Sequence, residues 1–306
     1  MGMFNRRRAI GLDIGPAAVR ALVLEGRPGK VSITATAVVP VAAGNGNGAT
    51  VEAIHACLAR VRADGQPVVV AVGGPDVVVR QLTLPPLPPG RVLQALELQH
   101  RDFGLLPPSE GLLDAQILRR SKGECRVLAV SAPKPVVEGR LRLLERAAVK
   151  VRTLDVEALA LLNAALHLGR PDPRELLVAL DLGEERAVLC LLSDRGPVVV
   201  RHLDVGVSAT VEGLRGAVRR VADEIRTSLA FYRSEYDRES LPRYLLSGWL
   251  RMRELNRWLT DELRLESPFE VIDPFRAIPV TAARGQTDES AGPEFVQAFG
   301  LALRAL

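Results

Sequence analysis

Apolar positions along this chain fall into two kinds of pattern: continuous or alternating runs that read as strands, and three- and four-residue steps that read as helices. Residues 9 to 14 and 19 to 24 form a predicted hairpin, and β-branched residues 31 to 39 a third strand. After a glycine-rich loop at 44 to 48, Val51, Ile54, Leu58 and Val61 mark one face of a helix over 50 to 62, with Thr50 as its cap. Residues 67 to 72 are apolar without a break, as in a strand buried on both faces. Further on, 126 to 131 predict a strand, 135 to 147 a helix and 155 to 168 a long apolar helix. The second half repeats the scheme with strands at 176 to 181, 186 to 192 and 198 to 203. A helix at 210 to 235 then carries the stripe Leu214, Val218, Val221, Ile225 and Leu229. A strand at 243 to 246, a helix at 252 to 263, a polar loop at 280 to 293 and a terminal helix at 293 to 306 complete the series.

Residues 77 to 118 interrupt that order. Pro85, Pro86, Pro88 and Pro89 force an extended or turning path, because each lacks a donor and biases its predecessor away from helix. A helix at 91 to 103, a second proline break at 105 to 109 and a strand at 113 to 118 make this a small inserted subdomain.

Each half also ends its first strand on a carboxylate followed by a glycine: Asp13-Ile14-Gly15 and Asp181-Leu182-Gly183. A glycine there permits a tight turn that brings N–H groups toward a phosphate, and the carboxylate can hold a hydrated Mg²⁺. The competing use of such an Asp is to cap its own turn.

The bulk composition narrows the alternatives. With 306 residues, 47% hydrophobic and 25% charged, the chain suits a bilobal globular protein, and no apolar run is long enough to span a bilayer. The +4 charge comes from Arg scattered among Asp and Glu, so nucleic acid is not indicated as a partner. Cys57, Cys125 and Cys190 lie far apart in apolar contexts, and the four histidines are equally dispersed, which argues against a zinc site or a His-dependent triad.

The order GLDIG, LPPLPPGRVLQALELQHRDFGLLPPSE, VSAPKPVVEGRLRLLERAAVKVRTLDVEALALLNA, ALDLG, DEIRTSLAFYRSE and VIDPF resembles the PilM family of type IV pilus assembly proteins. That family belongs to the actin-like ATPase superfamily, with FtsA. The resemblance implies an α/β fold of two lobes, each a duplicated mixed sheet with helices, plus the insert. The first lobe would span 1 to 170 with the insert at about 77 to 120, a reduced second lobe 171 to 292, and a helix at 293 to 306 would return to the first lobe.

By the same resemblance Asp13, Gly15, Asp181 and Gly183 form two phosphate turns, and Asp13 and Asp181 hold Mg²⁺ through water. Glu224 matches a ribose contact, although Arg220 four residues before it would equally suit a solvated helix face, and Ser247-Gly248 matches the adenosine-side turn. Asp155 and Glu157 fall in the segment joining the lobes, where ordinary helix-start acids are the alternative reading. Two departures stand out: Pro16-Ala17-Ala18 offers no hydroxyl, and Trp249 follows Gly248 where a second glycine is usual. ATP and Mg²⁺ are therefore the implied cofactors, or none if the cleft is vestigial, with at most weak ATPase activity.

The implied partner is the N-terminal tail of a PilN-like inner-membrane protein, received in a groove beside the insert, with self-association as a further option. The implied location is the cytoplasmic side of the inner membrane. A docking scaffold without nucleotide and a small-molecule kinase of the same superfamily are the alternatives; the kinase would need an acidic base over a sugar pocket, and none is legible.

Overall fold

A computed structural model describes residues 7–27, 30–43, 46–172, 174–183, 185–193, 196–204, 211–236, 241–248, 252–281 and 289–306. The chain opens with β1 (Arg7–Ile14), β2 (Ala18–Arg27) and β3 (Lys30–Pro40), an antiparallel meander. Helix α1 (Gly46–Arg60) then crosses to β4 (Val68–Val72), which lies parallel to β1. The helix starts one turn before Thr50, so Thr50 is inside it rather than capping it. Burial of Ala49, Ala53, Ile54 and Cys57 outweighs the poor helix propensity of Gly46 and Gly48.

The proline-rich stretch joins the first strand of a separate three-stranded sheet to a helix. Its strands are β5 (Val78–Leu84), β6 (Gly111–Arg120) and β7 (Cys125–Pro133), in the order β5-β7-β6, with α2 (Pro89–Leu98) against one face. The central strand β7 lies beyond residue 120, so the small sheet takes in more of the chain than the compositional break at 77 to 118 shows. Helix α2 ends at Leu98, short of Phe103, and the chain turns through Gly104, whose φ of 61° suits glycine.

Helix α3 (Lys134–Arg146) returns the chain to β8 (Val151–Val156), which pairs parallel with β4 and completes the sheet β3-β2-β1-β4-β8. Asp155, placed by its pattern in a helix, is in this strand opposite Ala71. The stretch Val-Arg-Thr-Leu-Asp-Val carries the strand on to Val156, and α4 (Glu157–Gly169) begins only there.

The second five-stranded sheet repeats the first. Its strands are β9 (Leu176–Leu182), β10 (Arg186–Ser193) and β11 (Gly196–Asp204), followed by α5 (Val211–Tyr236), β12 (Pro242–Gly248), α6 (Met252–Leu263) and β13 (Glu270–Val271). The order β11-β10-β9-β12-β13 and the antiparallel-then-parallel pairing reproduce the first sheet strand for strand. On α5 the stripe of Leu214, Val218, Val221, Ile225 and Leu229 is buried against that sheet, as its spacing predicts.

A short α7 (Pro274–Ala277), a 3-10 segment (Glu289–Phe295) and α8 (Val296–Leu303) close the chain. Residues 282–288 of the expected polar loop lie outside the described residues. The terminal helix is shorter than the 293 to 306 its pattern indicates, because the turn containing Pro293 is 3-10.

Helix α8 rests on both β1 and α4, and the approach is close enough to need glycine. A Cβ at Gly11 would overlap the Ala298 carbonyl, and one at Gly300 the Ala160 carbonyl. Phe295 and Phe299 are fully buried in the core that these elements share with both large sheets, each contributing roughly 1.5–3 kcal/mol by burial alone. That core joins strands of the two large sheets.

Candidate functional site

The ends of β1 and β9 face a cavity of about 300 Å³ between the two large sheets. Asp13, Gly15, Asp181, Gly183 and Gly248, all singled out from the sequence, line it. Both Asp-x-Gly turns have one construction: the Gly15 N–H donates to the Ala18 carbonyl at 3.0 Å, and the Gly183 N–H to the Arg186 carbonyl at 2.8 Å. A Cβ on Gly15 would stand 3.1 Å from that carbonyl oxygen and one on Gly183 2.7 Å, which is why both turns carry glycine. The same bonds use the two glycine N–H groups internally. Neither glycine N–H is therefore open to a ligand in this arrangement.

Strand register brings Ser247 to Asp181. The two are partners in the parallel pair of β12 and β9, and the Ser247 hydroxyl donates to Asp181 Oδ1 at 2.6 Å. Gln297, on α8, donates its amide to Asp181 Oδ2 at 3.1 Å. Burial pushes the Asp181 carboxyl above its ordinary range, and these two donors, with the charge of Arg20, pull it back. Gly248, at φ 115°, turns the chain where a Cβ would overlap the Leu182 carbonyl; Trp249 lies outside the described residues.

Glu224 is elsewhere. It pairs with Arg201 of β11 at 3.2 Å and is not among the cavity's lining residues. The sequence offered Arg220 on the same helix as its partner, but a residue on a neighbouring strand takes that role, which helical spacing cannot reveal.

Several lining residues escaped the sequence reading. Arg20 faces Asp13 across the β1/β2 hairpin and donates Nε and Nη2 to Glu294 Oε2 at 3.2 and 2.9 Å. A turn at residues 15 to 18 sets 13 opposite 20, so this neighbour was legible once the hairpin was drawn. Glu157, at the first turn of α4, points into the cavity instead of solvent. Burial and the nearby Asp13 charge push its carboxyl up to about 7, against the opposing pull of Arg140 and Arg186. Burial likewise pushes Asp13 up to about 6, with Arg20 and Arg140 lowering it and Asp181 raising it. Arg140 arrives from α3 and donates to the Ile14 carbonyl at 3.4 Å. No local pattern marks Arg140, Glu294 or Gln297, because each reaches the cavity from a distant element.

Asp155, the other acid between the lobes, is buried away from the cavity, 3.5 Å from Arg304 Nε.

The donor chemistry decides what the cavity can hold. Glu294 Oε1 and Gln297 Oε1 are buried acceptors without a hydrogen-bond donor among the described residues, so a ligand with hydroxyl or amino donors would suit them. A resident divalent ion fits less well. Both Asp181 oxygens already accept hydrogen bonds, Asp13 and Glu157 sit in the field of Arg140, and no group of three His, Cys, Asp or Glu among the described residues could hold a metal. The described residues therefore offer Mg²⁺ no set of direct protein ligands in this arrangement.

Comparison with known proteins agrees with the duplicated topology, which is that of the actin-like ATPase fold. The chain is 25% identical to a solved PilM-PilN type IV pilus biogenesis complex, covering 97% of this chain and 98% of that one at a TM-score of 0.81. Lower similarity extends to the ethanolamine utilization protein EutJ from Carboxydothermus hydrogenoformans, at 13% identity, 97% and 89% coverage and a TM-score of 0.49. It extends also to the cytoplasmic domain of EpsL, an inner-membrane component of the type II secretion system of Vibrio cholerae, at 15% identity, 86% and 97% coverage and a TM-score of 0.44. Among curated proteins none matches the chain. The family model of the type IV pilus assembly protein PilM covers residues 11–214, from the first strand into α5. By that match and by its fold, the chain belongs to the PilM family of type IV pilus assembly proteins.

Proposed function

We propose that this protein docks the N-terminal tail of a PilN-like inner-membrane protein and so joins the cytoplasmic side of a type IV pilus or related secretion system. The observation that carries this reading is the end-to-end likeness to a PilM-PilN complex, with nearly all of both chains covered. No helix among the described residues is long and apolar enough to cross a membrane, so membrane association would come through such a partner.

The groove beside the small sheet is the proposed docking place. One face of that sheet lies under α2, where Leu113, Ala115 and Ile117 are sheltered. On the other face Val79, Leu128 and Ala132 join the main core, while Leu112 and Leu118, on the same side of β6, stay exposed. Strand β6 is also an edge of its sheet, with backbone groups to offer an extended peptide. Co-expression with the PilN-like protein tests the reading: co-purification is expected with the intact partner and not with a partner lacking its cytoplasmic tail. Co-purification that ignores the tail would contradict it.

A second reading, nucleotide binding between the lobes, is favoured by the guanidinium groups of Arg20, Arg140 and Arg186 and the two unsatisfied acceptors lining one cavity. Arginine charge suits phosphate, and Glu294 and Gln297 suit hydroxyl donors. Occupancy would then bias one arrangement of the lobes, to the extent that the ligand prefers it. Glu224 takes no part in this reading, because Arg201 holds it outside the cavity.

A further inference from the structure

We propose that one pole of the small subdomain, where the turn between β6 and β7 meets the start of α2, binds the anionic surface of a lipid bilayer. This contact needs no partner protein, so it stands or falls separately from tail docking.

Two loops are tied together at that pole. Arg120, the last residue of β6, donates from Nη2 to the carbonyl of Leu87, in the proline stretch just before α2. The β6–β7 turn is closed by the Ser121 N–H on the Glu124 carbonyl at 2.9 Å, and the start of α2 by the Arg91 N–H on the Pro88 carbonyl at 2.9 Å. Arg91, Arg119, Arg120 and Lys122 are all exposed. None of the four is in an ion pair among the described residues. Arg91 Nη1 donates to Gln94 Oε1 at 2.7 Å, and that neutral amide leaves its charge in place. Across residues 85–91 and 119–125 the one acid is Glu124, which Arg126 holds at 3.1 Å. Four positive charges thus stand at one end of the subdomain with no free counter-charge from either loop.

Apolar side chains share this end with the charges. Pro85, Pro86, Pro88 and Pro89 are exposed, and Leu93, in the first turns of α2, is 41% exposed. Such interleaving suits a bilayer surface, where basic groups meet lipid phosphates while apolar groups rest among the headgroups. Nucleic acid is served less well, because neither loop carries an aromatic residue to stack on a base. The pole lies at the end of β6, the edge strand proposed to receive a membrane protein's tail, which places both contacts on one strand. Each basic side chain close to an anionic bilayer contributes about five-fold in binding, so the contact is weak alone and effective beside a second anchor.

Co-sedimentation of the full chain with vesicles tests this, using phosphatidylcholine alone and phosphatidylcholine with an equal amount of phosphatidylglycerol. The parent should bind the phosphatidylglycerol vesicles and not the neutral ones, and raising salt from about 50 to about 300 mM should release it. A pole variant carrying Arg91→Glu, Arg119→Glu and Lys122→Glu should bind at least about ten-fold more weakly at unchanged melting temperature, all three side chains being exposed. Arg120 is kept, because it ties the two loops together. A control with the same change in net charge, Arg219→Glu, Arg253→Glu and Arg257→Glu on exposed positions of α5 and α6, should bind like the parent.

No preference of the parent for the anionic vesicles would overturn the proposal, and that comparison needs no variant to fold. Parent-like binding by the pole variant would overturn it too, as would equal losses in the two triple variants, which would assign binding to net charge. Tighter binding to random-sequence duplex DNA than to the anionic vesicles, at equal charge concentration, would overturn it in favour of nucleic acid.

Discussion

Gly73 leaves the space that the Glu157 carboxylate fills: a Cβ built on Gly73 would overlap the Glu157 side chain. Gly73 directly follows β4, and Glu157 directly follows β8, the parallel strand beside it. Two adjacent strand ends thus make room for one buried acid, and a Cβ on Gly73 would require the end of the Glu157 side chain to move. Gly73→Ala is expected to destabilise the fold by about 1–3 kcal/mol, with a much smaller loss when Glu157→Ala is present too. Urea unfolding of the two single variants and the double variant measures the coupling; strictly additive losses would show that the two residues do not compete for space.

Acidity within the cleft has a consequence for stability. Asp13, at about 6, and Glu157, at about 7, both lie above their ordinary values of 3.8 and 4.5, so the folded state holds protons that the unfolded chain has released. Their favourable contribution is complete below the unfolded values and is lost as pH rises through the folded ones. His202 opposes this between 6.5 and about 4, because burial, reinforced by Arg186, keeps it neutral where the unfolded imidazole is protonated. Two carboxylates outweigh one imidazole. Unfolding free energy is therefore expected to fall between about pH 5 and 7, and Glu157→Gln to remove a large part of that slope. A Glu157→Gln variant with the parent's slope would contradict the assignment.

The thiols should be silent. Burial pushes Cys57 up to about 12 and raises Cys190 further, and Cys125 is fully buried. Ellman's reagent is expected to label none of the three in the folded protein and all three after denaturation, since the thiolate is the reacting form. Rapid labelling of the native protein would show that the cores around these residues open readily.

Glu224 provides a negative control for the cleft. Its partner Arg201 is a partly exposed side chain, and such pairs contribute little. Glu224→Ala should change stability by less than about 1 kcal/mol and leave any nucleotide affinity of the cleft untouched. A clear loss of nucleotide binding in a fluorescent-analogue titration would restore Glu224 to the site.

The duplicated fold was legible because its signals are local. Runs of β-branched residues, the α5 stripe and the paired Asp-x-Gly turns each depend on residues a few positions apart. Pairing across the small sheet was not, since β7 looks like any buried strand until β5 and β6 are seen on either side of it. At the site, Asp13, Asp181 and the two glycines announced themselves through the turn chemistry. Glu157 passed as an ordinary helix-start acid because only the strand neighbour at Gly73 reveals where its side chain goes. Arg140, Glu294 and Gln297 come from α3, the 3-10 segment and α8, and no spacing in one dimension connects them to residue 13.

Docking of a PilN-like tail is the central claim, and a direct titration decides it. A fluorescently labelled peptide of that tail would be titrated with the full chain and with Leu112→Glu, an exposed position on the edge strand β6. Saturable one-to-one binding, weakened at least about ten-fold in Leu112→Glu at unchanged melting temperature, is the expected result. Absence of saturable binding by the parent chain would contradict the docking function, and equal binding by both proteins would contradict the proposed groove.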